Sequence, residues 1–289
     1  MGSPAREKLS RDGYLIAREY LNADALDNLR AISRDVLDIL PREQFKTSGG
    51  RYNVSSYAAF AEIIALPDSG KVMAELGLAS YKWGGAHLIS RPGYSPPQFW
   101  HQDWWGWSNG VSYHEKPLVL DFIYHLSDTR WESGCLRVIP GSHQFWHELH
   151  QLPEVRDEGP SWSEHRENIA SQSHHDEVAI LVNPGDLVIM DNRLLRSAYA
   201  NASNEEQSML ILSYLPEFET MPFPIQHRFS RLFAQLENDR SSRKKGRKSP
   251  FDWPEEKRAI ARHLFPQGST SAPAEPINRK PARVRMLER

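Results

Sequence analysis

The sequence predicts a mostly β fold, a sandwich or barrel of short strands with helices packed on its outside. Three observations lead there. Short β-rich runs, KWGGAHLIS, PLVLDFIYHL, CLRVIP, EVAILV, DLVIMD and SMLILSYL, follow one another between Lys82 and Leu215. Turn signals such as RPGYSPP, ESG, PGS and NPGD separate them. A long amphipathic helical pattern stands ahead of them all.

That helix begins after Asn22, a side chain suited to cap it. In NADALDNLRAISRDVLDIL the apolar residues Leu26, Leu29, Ile32, Val36 and Ile39 recur at three- and four-residue spacings, so one face must cover something. Residues 144–176 form a polar insert containing Trp and His, of a length expected for a lid or binding loop. The basic run RSSRKKGRK (240–248) and the Pro-, Ser- and Arg-rich stretch from Gln267 onward read as a mobile extension. The expected organisation is one domain over 1–239 with an extension over 240–289, since β-barrel domains of such length are routinely single.

With 39% hydrophobic and 25% charged residues and a net charge of −2, the 289-residue chain offers no global attraction to nucleic acid or membrane. No long apolar run stands at the N-terminal end or elsewhere, so neither a signal peptide nor a spanning helix is expected, and a cytoplasmic location is. The single cysteine, Cys135, excludes an internal disulfide and reads as a buried, inert thiol between apolar neighbours. The basic run has no interleaved aromatics and reads as a solvated face.

The chemistry concentrates in QFWHQDWWGW, residues 98–107. His101 and Asp103 stand two apart, so on an extended strand both side chains share a face. An imidazole nitrogen and a carboxylate oxygen suit a divalent first-row metal, and a second histidine from a distant strand would complete a facial triad with open positions. Alone, H-x-D is weak, because it is as readily a polar pair in an aromatic turn. Trp104, Trp105 and Trp107 read either as a hydrophobic wall or as a substrate-facing aromatic surface for a small hydrophobic metabolite.

QFWHQDWWGW, SGCLRVIPGSH (133–143) and NPGDLVIMDNRLLRSAYANAS (183–203), in this order, resemble the phytanoyl-CoA dioxygenase family of iron(II)- and 2-oxoglutarate-dependent oxygenases, over residues 12–216. The resemblance implies a double-stranded β-helix, or jelly-roll, and makes His101 and Asp103 the first two iron ligands. It also implies a third ligand, a histidine, where RLLRSAYAN places Arg196, and an arginine for 2-oxoglutarate where Gln207 stands. Arginine has no lone pair to give a metal, and losing the partner of a buried carboxylate costs on the order of 2–5 kcal/mol. Iron(II) binding is therefore expected to be weakened, and 2-oxoglutarate binding is put in doubt.

Three readings stay open. The chain is an iron oxygenase of secondary metabolism, with water or another ligand completing the metal and Arg196 or Gln98 holding a co-substrate carboxylate. His125, His143, His174 and His175 are then the nearest stock of substitute ligands. Alternatively it is a non-catalytic homologue in which Arg196 pairs with Asp103, serving as partner subunit of an active oxygenase or as a small-molecule binder. In the third reading it is a metal-independent isomerase or cyclase, with His101 as general acid or base and Asp103 orienting it.

Overall fold

The computed structural model describes residues 3–39, 50–55, 57–64, 67–152, 171–238, 255, 264, 266 and 273–288. The basic run 240–248 lies outside them, as do residues 153–170 of the insert.

Helix α1 (Pro4–Asp12) opens the chain, capped by the Ser3 side chain. It stops at Gly13, whose φ of 79° is left-handed; a Cβ there would lie 2.6 Å from His143 Nδ1, so glycine is required on two counts. Strand β1 (Tyr14–Ala17) follows, then α2 (Ala23–Ile39), β2 (Gly50–Asn53), α3 (Ala61–Ile64), α4 (Pro67–Glu75) and β3 (Tyr81–Arg91). The remaining strands are β4 (Leu120–His125), β5 (Leu136–Val138), β6 (Val178–Ile180), β7 (Leu187–Asp191), β8 (Arg196–Ala198) and β9 (Gln207–Pro216), and α5 (Phe223–Asn238) comes after them. The Asn22 side chain accepts the Ala25 N–H at 2.9 Å, which is the expected cap of α2.

The strands make two sheets, a six-stranded one in the order β1-β7-β4-β9-β3-β2 and a three-stranded one in the order β6-β5-β8. All pairings are antiparallel. The two-residue period of the central strands explains the layering. On β9, Leu210, Leu212 and Tyr214 join Leu29, Phe60 and Ile63 in a core between the large sheet and α2, α3 and the turn before it. Met209 and Ile211 face the other way, into a core shared with Ile123, Val188 and Met190 of the large sheet and Leu136, Val138 and Ala198 of the small one. Both faces of the large sheet are thus buried, which is why LDFIYH and LVIMD are apolar almost throughout. The structure is the expected jelly-roll with helices on its outer face. Among the described residues, no helix is long and apolar enough to cross a membrane.

The C-terminal stretch differs from the expected mobile extension. Residues 275–287 run as a strap across the segment that carries His101 and Asp103. Gln102 donates to the Arg279 carbonyl at 2.7 Å, Arg279 donates back to the Asp103 carbonyl at 2.9 Å, and Asn278 N–H donates to the Trp105 carbonyl at 2.6 Å. Arg283 and Arg285 stack on Trp146 and Tyr113. Backbone pairing and guanidinium stacking hold this segment, and composition alone conceals both.

Candidate active site

His101 and Arg196 form an isolated antiparallel bridge, exchanging both backbone hydrogen bonds at 2.9 and 2.8 Å. Directly opposed residues project to the same side, so the ladder alone brings the imidazole and the guanidinium together. Asp103 is fixed two residues on, where its N–H and that of Trp104 both donate to the Asn192 carbonyl at 3.0 Å. The His101 Nδ1 lies 2.9 Å from the Phe99 carbonyl. A carbonyl can only accept, so Nδ1 carries the proton and Nε2 the lone pair.

Arg196 spans two carboxylates. Its Nη2 contacts Asp103 Oδ2, and its Nη1 lies 2.9 Å from Asp121 Oδ2. The other oxygen of each is also engaged: Arg51 Nη1 donates to Asp103 Oδ1 at 3.1 Å, and Ser213 Oγ donates to Asp121 Oδ1 at 2.6 Å. Asp121 projects inward from β4 because it alternates with the outward Leu120 and Phe122, and it faces Ser213 in the β4–β9 register. Burial pushes Asp121 up to about 6 and Arg196 down to about 9. Both are charged at neutral pH, and the short contact between them favours that state. The nearby His87 of β3 is held neutral by burial and by the two guanidiniums, Arg51 first. The cluster of Arg51, Asp103, Asp121 and Arg196 is self-neutralised, with Arg51 its most exposed member.

A metal ion does not fit this arrangement. The third corner holds a group without a lone pair, and both oxygens of Asp103 are taken by cations. Freeing Asp103 would take one of its two carboxylate partners from a buried guanidinium and set a metal ion beside that positive charge, and breaking a buried pair costs up to about 3–5 kcal/mol, a factor of as much as roughly a hundred to several thousand in affinity. Among the described residues, the set of three metal-ligand side chains within reach of one another is His147, His174 and Asp176, which includes neither His101 nor Asp103.

The remaining sequence candidates fall differently. Gln207 is buried at the start of β9, where its Oε1 accepts from Ser127 Oγ at 2.8 Å. It faces Arg91, and that guanidinium is turned to the carbonyls of Gly134, Pro96 and Tyr199, so it does not replace the missing arginine. Gln98 pairs through its backbone with Ala198, and its carbonyl accepts from Ser197 Oγ. The substrate-facing reading of Trp104 and Trp107 needs correction. Trp104 and Trp107 are 0% and 1% exposed and pack with Phe218, Ile225 and Phe229, while Trp105 stacks on Trp104 against Phe229. Trp104 and Trp107 anchor α5 to the jelly-roll, because a fully buried indole has no surface to offer a ligand, whereas Trp105 is partly buried. Among the histidines, His125 is buried at the far end of β4, His143 faces the Ser10 carbonyl, His174 contacts Glu148, and His175 is exposed. Cys135 is buried, as expected, and burial raises its thiol to about 11.

Sequence reasoning missed Arg51, His87, Asp121 and Ser213. Only Asp121 left a signal, a charge at an inward position of an otherwise apolar strand.

The family model described as Phytanoyl-CoA dioxygenase (PhyH) matches residues 9–209. No curated protein matches the chain. Among solved structures, HygX from Streptomyces hygroscopicus with nickel, 2-oxoglutarate and hygromycin B bound has a TM-score of 0.55 at 15% identity, covering 74% of this chain and 88% of its own. EvdO2 from Micromonospora carbonacea var. aurantiaca complexed with 2-oxoglutarate has a TM-score of 0.54 at 18% identity, covering 75% and 91%. The non-heme alpha ketoglutarate dependent epimerase SnoN from nogalamycin biosynthesis has 0.54 at 17%, covering 73% and 79%. These likenesses concern the fold.

Proposed function

Because the chain belongs to the phytanoyl-CoA dioxygenase family, we propose that it uses the family's jelly-roll without the family's iron, as a homologue that binds a small metabolite at the barrel mouth. One observation carries this reading: the Arg196 guanidinium spans Asp103 and Asp121 in the corner where a metal-binding histidine would stand. Arginine supplies there the positive charge a metal would supply, and it satisfies the same carboxylate. Gln207 supports the reading, because a neutral amide bonded to Ser127 offers a dicarboxylate no ion pair.

The ligand class follows from what the mouth presents. With Trp104 and Trp107 in the core, the ground for a bulky apolar ligand is gone. Arg51 is the most exposed group of the cluster, with Asp103 and His101 partly buried behind it, a polar lining that suits a metabolite rich in hydrogen-bonding groups. HygX binds hygromycin B and SnoN binds nogalamycin RO in their solved structures, in keeping with a small-metabolite ligand. Service as partner of an active homologous subunit fits the same loss of iron, and co-purification of a homologous chain tests it.

A second reading rests on the His101 tautomer. With Nδ1–H held by the Phe99 carbonyl, Nε2 is a base on the same side as Arg196, whose positive charge could stabilise an oxyanion. That pairing suits a metal-independent isomerase or cyclase step. Exchange of solvent deuterium into an acidic C–H of a bound ligand would favour it over binding alone.

The test of the main reading is direct. Protein incubated with iron(II), oxygen and labelled 2-oxoglutarate should release no succinate above a protein-free control. Succinate formed in proportion to protein would overturn the proposal. The double variant Arg196→His/Gln207→Arg should gain iron binding and succinate release, since it restores both missing groups on an otherwise complete scaffold.

A further inference from the structure

We infer that His147, His174 and Asp176, with Glu148 beside them, form a site for a divalent transition-metal ion such as zinc, sharing no residue with the His101/Asp103 cluster. One ligating atom of each of the first three lies within 4.8 Å of the others. The two imidazoles meet edge to face with ring centroids 4.6 Å apart. His147 Nε2 stands 3.5 Å from Asp176 Oδ2, and His174 Nε2 stands 3.0 Å from Glu148 Oε1. The histidine side chains are 10% and 13% exposed and the Asp176 carboxylate 33%, so the site is sheltered but open on one side, as an entering ion requires.

Two imidazoles and two carboxylates are a nitrogen-and-oxygen donor set. It suits zinc, cobalt(II) or nickel(II) and suits calcium or magnesium poorly, since those ions take oxygen donors. The local backbone aims the rings. His147 caps the short helical turn Glu148–Gln151, and its Nδ1 accepts the Leu149 N–H at 3.2 Å. His174 Nδ1 accepts the Asp176 N–H at the same distance. In the metal-free form each neutral ring therefore carries its proton on Nε2, facing a carboxylate. On loading, the Nε2 lone pair goes to the ion and each ring proton moves to Nδ1. Two long amide contacts are released, which makes the site one of moderate affinity.

The ion would join the turn after β5 to the turn before β6. Gln172, two residues before His174, accepts the Trp100 Nε1–H at 2.9 Å, and Trp100 adjoins His101. Arg137 of β5 pairs with Glu177, the neighbour of Asp176, at 3.0 Å. Metal here would brace the wall beside the barrel mouth from outside the family's own metal position.

Full-length protein without an affinity tag, treated with EDTA, should bind one equivalent of Zn2+ by calorimetry and give visible ligand-field absorption with Co2+. His174→Gln and Asp176→Asn should each weaken binding at least tenfold, since even changes beside a ligand cost roughly that much. Asp103→Asn should leave it unchanged. Zinc should also raise the melting midpoint of the parent and not that of His174→Gln, with near-ultraviolet circular dichroism confirming that the variants fold. No binding to the parent, equal binding by His174→Gln and Asp176→Asn, or loss on Asp103→Asn would each overturn the inference. Because the two positions share no residue, metal bound only through Asp103 would instead contradict the iron-free reading of the barrel mouth.

Discussion

At the position of Arg196 the chain places five N–H donors where metal chemistry needs a lone pair, and the consequence for stability is as definite as that for function. Asp121 is 2% exposed, and its charge is balanced by this guanidinium. Arg196→Met should therefore cost about 3–5 kcal/mol in urea denaturation, because it strands a buried carboxylate. Adding Asp121→Asn should recover much of the loss, and a double-mutant cycle reads the coupling. Additive effects of the two changes would mean that the pair does not act as a unit. His101, Asp103 and Arg196 were legible in the sequence because they lie in blocks that resemble a family. Arg51 was not, because it reaches the cluster through strand register and RYN in isolation carries no such information, while Asp121 showed only as a charge in an apolar strand, with nothing in LDF to say what it meets.

Among the elements, legibility followed apolar content. Strands β3, β4, β7 and β9, with the core pattern on both faces, stood out as runs, whereas β1, β2 and β8, three or four residues each, did not. The three-residue β8 matters most, since its first residue is Arg196. Helix α2 was legible to its cap, and Asn22→Ala should cost about 1 kcal/mol, seen as a lowered urea midpoint with unchanged slope. The strap was not legible, since Arg279 and Asn278 bind mainly through backbone atoms of the 102–107 segment. Deleting residues 273–289 should lower the melting temperature and open the 102–113 segment to proteolysis. An unchanged digestion pattern would mean that the strap does not protect the loop.

Across the whole molecule, several titratable groups are buried in a form set by folding, and their balance fixes how stability depends on pH. Burial lowers His125, His143 and His150 from 6.5 to about 4. Each is neutral when folded at a pH where the unfolded chain would protonate it, so the stabilisation present above pH 6.5 is lost as pH falls through about 4. The gap corresponds to at most about 3 kcal/mol per residue. Asp121 opposes this, since burial raises it from 3.8 to about 6 and the folded state then holds a proton that the unfolded state has released. Three groups outweigh one, and the net loss of several kcal/mol between neutral pH and about 4 is comparable to the whole stability of an ordinary domain. Urea midpoints measured across that window should therefore fall steeply with acid. His125 is 1% exposed and both its ring nitrogens lack hydrogen-bond partners, so His125→Leu should flatten the dependence by one proton while keeping the neutral-pH fold. A profile as steep in His125→Leu as in the parent would show that this imidazole is not the buried, neutral group the packing around β4 makes it.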